Sequence, residues 1–419
     1  MTQLRRLIVW PMILSLGAAA AAADWPQFRG PGAMGIAAKE KGVPTKWDDD
    51  TNVAWKVELP GPGASSPIVV GDRVLVTCYS GYGLPKVQAG DIANLKRHLL
   101  CFSRAGKPLW KQEVTARGKE APYTGGFITK HGYASSTPAS DGKHVYVFFG
   151  TTGVLAFDLD GNELWRKSVG AGTNDWGSGT SPILYKNLVI VNAAVESESL
   201  VALSKEKGDV VWTAPGISYS WVTPVLVDTG SRSELVVSMY QKVRAFDPAK
   251  GTELWSCRGI NDYVCSSIVA AAGVVYAIGG REGNAIAVKA GGKGEVDELW
   301  RVHKGSNVSS PALHDGYLYW THEQNGSAYC VDAKNGKLRY TERLQPEPGL
   351  IYASPTLADG KLYYVSREQG IYVVDASPTF KLLAHNRFKS DTSVFNASPA
   401  IVDGKIYLRS DRFLYCIGK

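Results

Sequence analysis

An all-β propeller of eight four-stranded blades is the fold predicted by the amino-acid sequence, and three observations predict it. A Ser/Thr-Pro step opening an apolar run recurs at Pro67, Pro138, Pro182, Pro224, Pro311, Pro355 and Pro399, with the degenerate copy Ile268, at gaps of 71, 44, 42, 44, 43, 44 and 44 residues. A fixed period of this length signals a radial or stacked repeat. Each copy then carries turn and strand signals for four short strands, the content of one propeller blade. A tryptophan also returns once per copy, at Trp110, Trp165, Trp212, Trp255 and Trp300, with Tyr340 in the sixth.

Within each copy the elements follow in order. The run after the marker is the innermost strand. Asp-Gly turns at Asp141-Gly142, Asp315-Gly316, Asp359-Gly360 and Asp403-Gly404 then lead to a β-branched or aromatic strand such as Val145–Phe149 or Lys361–Val365. Two-residue hairpins need positive φ, which Gly adopts freely and Asp tolerates. A third strand ends in small-x-Asp and a fourth carries the tryptophan, as in Ala245–Trp255, Ala156–Trp165, Ala202–Trp212 and Cys330–Tyr340. Asp158, Asp247, Asp332 and Asp375 share one repeat position, which suits a turn-capping side chain. The eighth copy stops at Lys419 without a fourth strand, and Val53–Glu58 has the missing pattern. That strand is expected to complete the last blade and close the ring.

Two additions explain the long first gap: 79–97 between the second and third strands of blade one, and 116–133 between blades one and two. Their Gly and polar content reads as loops, which carry function when held by a rigid scaffold.

The N-terminus has two arginines (Arg5, Arg6), an apolar stretch Leu7–Leu16 and alanines ending at Ala23, the pattern of a cleaved secretory signal. The organisation is therefore a signal peptide, 1–23, and a single propeller, 24–419, that is periplasmic or secreted. No later stretch is apolar for a membrane-spanning length, and the first cysteine is Cys78, so neither a transmembrane segment nor a lipid anchor is expected. Cleavage removes two arginines and no acid, taking the net charge from +7 to a mild +5. Without basic clusters carrying interleaved aromatics, nucleic acid is disfavoured as a partner.

Chemistry-bearing constellations are sparse. The histidines show no metal-ligand spacing, and no nucleophile elbow or phosphate loop occurs. Cys101, Cys330 and Cys416 fall where other blades have alanine, so they are small core residues. Cys257 and Cys265 are left as the one reasonable disulfide pair.

Variation among copies concentrates three residues before each marker, at Ala64, Ser135, Gly179, Trp221, Cys265, Val308, Tyr352 and Asn396. These positions enter the innermost strand at the channel mouth. Trp176, Tyr219, Tyr263 and Asn307 lie nearby, and the loops between second and third strands bring Arg281 and Arg367 to the same face. Aromatic platforms beside Arg and Asn make a candidate pocket for a small polar, carbohydrate or peptide ligand. A solvated rim is the competing account.

The small-x-Asp, Gly and Trp repeat resembles the pyrroloquinoline-quinone-like repeat propellers, from Trp55 to Gly418. That superfamily contains quinoprotein alcohol dehydrogenases and the outer-membrane assembly factor BamB. The segment Asp24–Pro31 also looks like the opening of many exported propellers of this type. A dehydrogenase resemblance implies adjacent cysteines joined over the quinone and a calcium or lanthanide site; this chain has no Cys-Cys pair. The BamB resemblance implies a non-catalytic scaffold that binds a partner. The expectation is thus a monomeric envelope binding or scaffold protein for a protein or cell-envelope polymer, with no catalytic residue, metal or cofactor. A quinone-dependent enzyme with calcium and a carbohydrate-binding propeller are the alternatives.

Overall fold

A computed structural model describes residues 23–419. The expected signal segment and its cleavage point lie almost wholly outside these residues. Eight sheets, each built on four antiparallel strands, follow the marker spacing. Blade one comprises Ile68–Val70, Arg73–Ser80, Lys96–Ser103 and Pro108–Thr115, in spatial order from inner to outer strand. The same up-and-down order repeats through blade seven, Thr356–Ala358, Lys361–Val365, Ile371–Asp375 and Leu382–Asn386. In blade eight, Ala400–Val402, Lys405–Arg409 and Phe413–Ile417 are joined by Val53–Glu58, with Trp55 opposite Cys416. Blades four and seven carry a fifth strand, Gly294–Val296 on the outer edge and Ile36–Ala37 on the inner edge, both parallel.

The tight turns follow from local chemistry. Asp359 and Gly360 have φ of 50° and 68°, as a two-residue mirror-image turn requires. Asp141-Gly142 departs from this: the strands pair only from Ser140 and Val145, and Asp141 caps a longer turn by accepting from the amides of Lys143 and His144.

The tryptophans lock each blade to the next. The indole N–H of Trp55 donates to Arg104 O (2.8 Å), Trp110 to Leu159 O (2.9 Å), Trp165 to Lys205 O (2.8 Å), Trp212 to Pro248 O (3.2 Å) and Trp300 to Ala333 O (3.0 Å). Each acceptor lies in the following blade. A turn glycine of that blade lies flat on each ring: a Cβ on Gly161, where φ is 90°, would fall 2.8 Å from the Trp110 ring. Trp255 differs, donating to the buried Glu234 within its own blade (2.7 Å). Opposite each aromatic stands the small residue of the third strand: Cys101 faces Trp110, Cys330 faces Tyr340 and Cys416 faces Trp55, as Ala156 faces Trp165.

The Ser/Thr of the marker step does separate work at the channel. The Ser66 N–H donates to Thr137 Oγ1 (2.9 Å), Thr137 to Ser181 Oγ (3.0 Å), Ser181 to Thr223 Oγ1 (3.0 Å) and Thr223 to Ser267 Oγ (3.2 Å). Ser267 then donates to Ser310 Oγ (2.8 Å), Ser310 to Ser354 (3.0 Å) and Ser354 to Ser398 (2.9 Å). This hoop of backbone-to-hydroxyl bonds crosses seven of the eight blade junctions. At the eighth, between blades eight and one, the Ser66 hydroxyl has no partner. There the buried Arg409 reaches across to Thr77 O instead (2.5 Å).

The two insertions pack together rather than extending as separate loops. The flanking strands run to Ser80 and resume at Lys96, so the first loop is 81–95, shorter than the 79–97 expected. Tyr79, Tyr82, Leu95, Ala121, Ile128 and Tyr133 form a satellite core with ring distances of 5.4 Å (Tyr79–Tyr133) and 5.7 Å (Tyr82–Tyr133). The Arg97 guanidinium pairs with both carboxylate oxygens of Glu120 (2.8 and 2.9 Å) and reaches Tyr133 O through Nε (2.9 Å).

The cysteine expectation is corrected. All six cysteines are free: Cys257 sits on the outer strand Glu253–Arg258, whereas Cys265 lines the central channel.

Candidate functional site

The central channel is blind. Residues 25–40 cross one end: Trp25 bridges to Val69 in blade one, Pro26 O accepts from Ser140 in blade two, and Ile36–Ala37 pairs with blade seven. Arg29, fully buried, donates to Pro311 O in blade six and to Met34 O (2.8 Å). Gly30 lies against the Trp25 ring, where a Cβ would come within 2.6 Å. These contacts account for the sequence Trp25–Pro31, and they leave Phe28 lining the cavity.

Above this floor is a cavity of about 280 Å³. Every one of the eight positions three residues before a marker lines it: Ala64, Ser135, Gly179, Trp221, Cys265, Val308, Tyr352 and Asn396. Trp176, Tyr263, Arg281 and Asn307 line it as well. Trp221 and Tyr263 meet edge to face at 6.1 Å, and Trp176 lies 5.9 Å from Tyr263. The Trp221 indole is aimed by its bond to Gly177 O (2.7 Å). Two predicted residues sit elsewhere. Tyr219 is 60% exposed on the rim against Tyr240, at a left-handed φ of 47°. Arg367 is behind the wall, stacked on Tyr352 (4.6 Å) and donating to Lys130 O (2.8 Å) and Asn396 Oδ1 (2.5 Å).

The insertion 116–133 supplies residues that repeat alignment could not find, Lys130 and His131. His131 bonds Trp176 O through Nε2 (2.7 Å) and Ser135 Oγ through Nδ1 (2.5 Å). A carbonyl only accepts, so Nε2 carries the hydrogen and Nδ1 accepts from the serine. Burial pushes the His131 pKa down to about 4, so the ring is neutral at ordinary pH. Phe127 packs against Trp176 with the rings tilted and their centroids 4.7 Å apart. Phe28, Lys130 and His131 all lie outside the repeats; their only sequence signals were the Trp25–Pro31 motif and the length of the insertion.

A quinone–metal centre does not fit these residues. Among the described residues Glu323 is the one carboxylate lining the cavity, and its Oε2 already accepts from Ser306 Oγ (3.3 Å) and Asn307 N–H (3.0 Å). Among the described residues no three His, Cys, Asp or Glu side chains converge to hold a metal.

Fold, repeat pairing and channel together define a pyrroloquinoline-quinone-like repeat β-propeller. A profile of the family described as outer membrane protein assembly factor BamB matches residues 91–220 and 239–412, and the chain belongs to that family. BamB from Moraxella catarrhalis is similar in structure (TM-score 0.62, 12% identity, 87% of this chain and 96% of that one). So are a europium-containing methanol dehydrogenase (0.64, 11%, 95% and 98%) and the quinohemoprotein alcohol dehydrogenase of Comamonas testosteroni (0.62, 12%, 95% and 81%). At such identities the likeness carries the fold alone. No curated protein matches the sequence.

Proposed function

We propose that this protein is a non-catalytic, exported propeller of the cell envelope that binds a protein or envelope polymer at its channel mouth. The observation that carries the reading is the blind, aromatic-walled cavity, to which every blade contributes its variable position. A scaffold residue is held constant by the repeat, whereas a binding residue differs where the ligand differs. Family membership supports a binding role, since its description names assembly of outer membrane proteins. Among the described residues no helix is long and apolar enough to cross a membrane.

Affinity capture from envelope extract tests this, with the protein and its Trp221→Ala variant compared side by side. A component retained by the first and lost by the second is the expected result; identical recoveries overturn the reading. Dye-linked alcohol oxidation after addition of pyrroloquinoline quinone and calcium would overturn it in favour of an enzyme.

A further inference from the structure

We infer that the channel cavity takes the terminal pyranose ring of a glycan, a deepening that rests on the binding role just proposed. The first argument comes from the hoop. Five of its residues, Thr223, Ser267, Ser310, Ser354 and Ser398, line the cavity, each with a hydroxyl that accepts a backbone N–H from the preceding blade. An accepting hydroxyl keeps its own hydrogen for donation, and among the described residues none of the five donates to a protein acceptor. The Ser66 hydroxyl, also on the wall, is wholly unpartnered. The cavity is therefore girdled by donors.

It also holds unspent acceptors. Asn307 is 8% exposed; its Nδ2 donates to the Tyr263 hydroxyl (2.7 Å), while its Oδ1 is buried without a partner. A buried unpaired acceptor carries a desolvation penalty that a ligand donor would relieve. Glu323, beside it, is 4% exposed. A bare anion would satisfy the donors and meet Lys130 but face Glu323 and the Asn307 oxygen, while Arg281 is already paired with Asp262. An apolar ligand would satisfy neither set. Hydroxyls that donate and accept on one small ring satisfy both.

The walls add faces for such a ring. Trp176, Tyr263 and Trp221 form an aromatic corner, and Tyr352 stands backed by the Arg367 guanidinium. The Trp221 indole bond to Gly177 O and the Asn307 amide donating to the Tyr263 hydroxyl pre-organise this corner, which lowers the ordering cost of binding. The ligand is a chain end because the far side of the cavity is closed by the N-terminal crossing. At about 280 Å³ the space lies near the low end of the ~300–1,000 Å³ of small-molecule sites.

An extended peptide fits poorly for a reason built into the repeat. To add to a sheet edge a peptide needs free backbone donors in succession. At the marker level the Ser/Thr N–H is spent on the next blade's hydroxyl at seven junctions, and the proline that follows at six of them has none.

The test uses the mature chain with defined probes: neutral β-1,4-linked glucose and N-acetylglucosamine oligosaccharides, oligogalacturonate, succinate and a tripeptide. Thermal shift and tryptophan fluorescence are the readouts. A saccharide is expected to raise the melting temperature and perturb the fluorescence, with affinity falling roughly tenfold or more in Asn307→Ala and in Trp221→Ala. Asn307→Asp, which keeps shape and supplies an acceptor, guards against misfolding and is expected to retain more affinity than the alanine. The inference is overturned if no saccharide responds up to about 10 mM, a limit equivalent to only ~3 kcal/mol. It is equally overturned if succinate or the tripeptide binds better, or if the response survives Trp221→Ala. Failure here with Trp221-dependent capture intact removes the glycan and leaves the binding role; saccharide binding without capture of an envelope component does the reverse.

Discussion

At the scale of single residues, two buried titratable groups give opposite signs. Glu196, in the short helix Ala194–Ser197, is held by the Ser178 hydroxyl, and burial pushes its pKa up to about 7. The unfolded chain releases this proton near pH ~4.3, so between there and about 7 the folded state binds more protons and stability falls as pH rises. Glu196→Gln is expected to flatten that fall and to gain on the order of 2–3 kcal/mol at pH 8 relative to pH 4, read from denaturation at the two values. His131 works the other way. Its depressed pKa means that stability present above about 6.5 is lost as pH drops towards 4. Because its bonds tie the insertion to Trp176, the protection of amides in 116–133, taken relative to their intrinsic exchange rates at each pH, is expected to fall at pH 4.5; unchanged protection would refute the latch. Gly161→Ala belongs here too: a left-handed φ and a ring 2.8 Å from the new Cβ predict a loss of about 1–3 kcal/mol by thermal melting.

At the scale of elements, the hoop and the indole clamps hold each blade to its neighbour at inner and outer radius. Ser310→Ala leaves the Ser267 N–H unpartnered in a buried site and is expected to cost about 1–3 kcal/mol, whereas the same change at Ser66, whose hydroxyl holds nothing, is expected to be near neutral. Comparing the two melting temperatures checks whether the hoop, rather than serine as such, carries the stability. The strands and turns were legible in the sequence because period, Asp-Gly turns and small-x-Asp repeat on a fixed count. The hydrogen bonds between blades were not, since a Ser/Thr at fixed spacing does not reveal that its acceptor role is played towards the blade before it. The packing of the insertions was also hidden: tyrosines scattered over Tyr79–Tyr133 have no period, and their satellite core exists only once blade one brings the two loops together.

At the scale of the whole molecule, the cavity was readable to the extent that the repeats superpose. Eight equivalent positions had to meet at the axis, and they do. Tyr219 and Arg367 fell outside it because loop conformation, not repeat position, places them. Phe28 and the floor were invisible, being built by a segment that belongs to no copy. Removing 24–58 takes away both that floor and the outer strand of blade eight, so the shortened chain is expected to lose its single cooperative melting transition; a transition at the original temperature would refute this.

The pairing of Trp55 with Cys416 sets an order on events that no local contact would. Val53–Glu58 has no resting place until Phe413–Ile417 has formed, because contacts between such distant segments must wait for the intervening chain. A polypeptide cut short before Phe413 therefore keeps Val53–Glu58 as an unsatisfied strand, and the seam tells such a fragment from a chain that carries its partner.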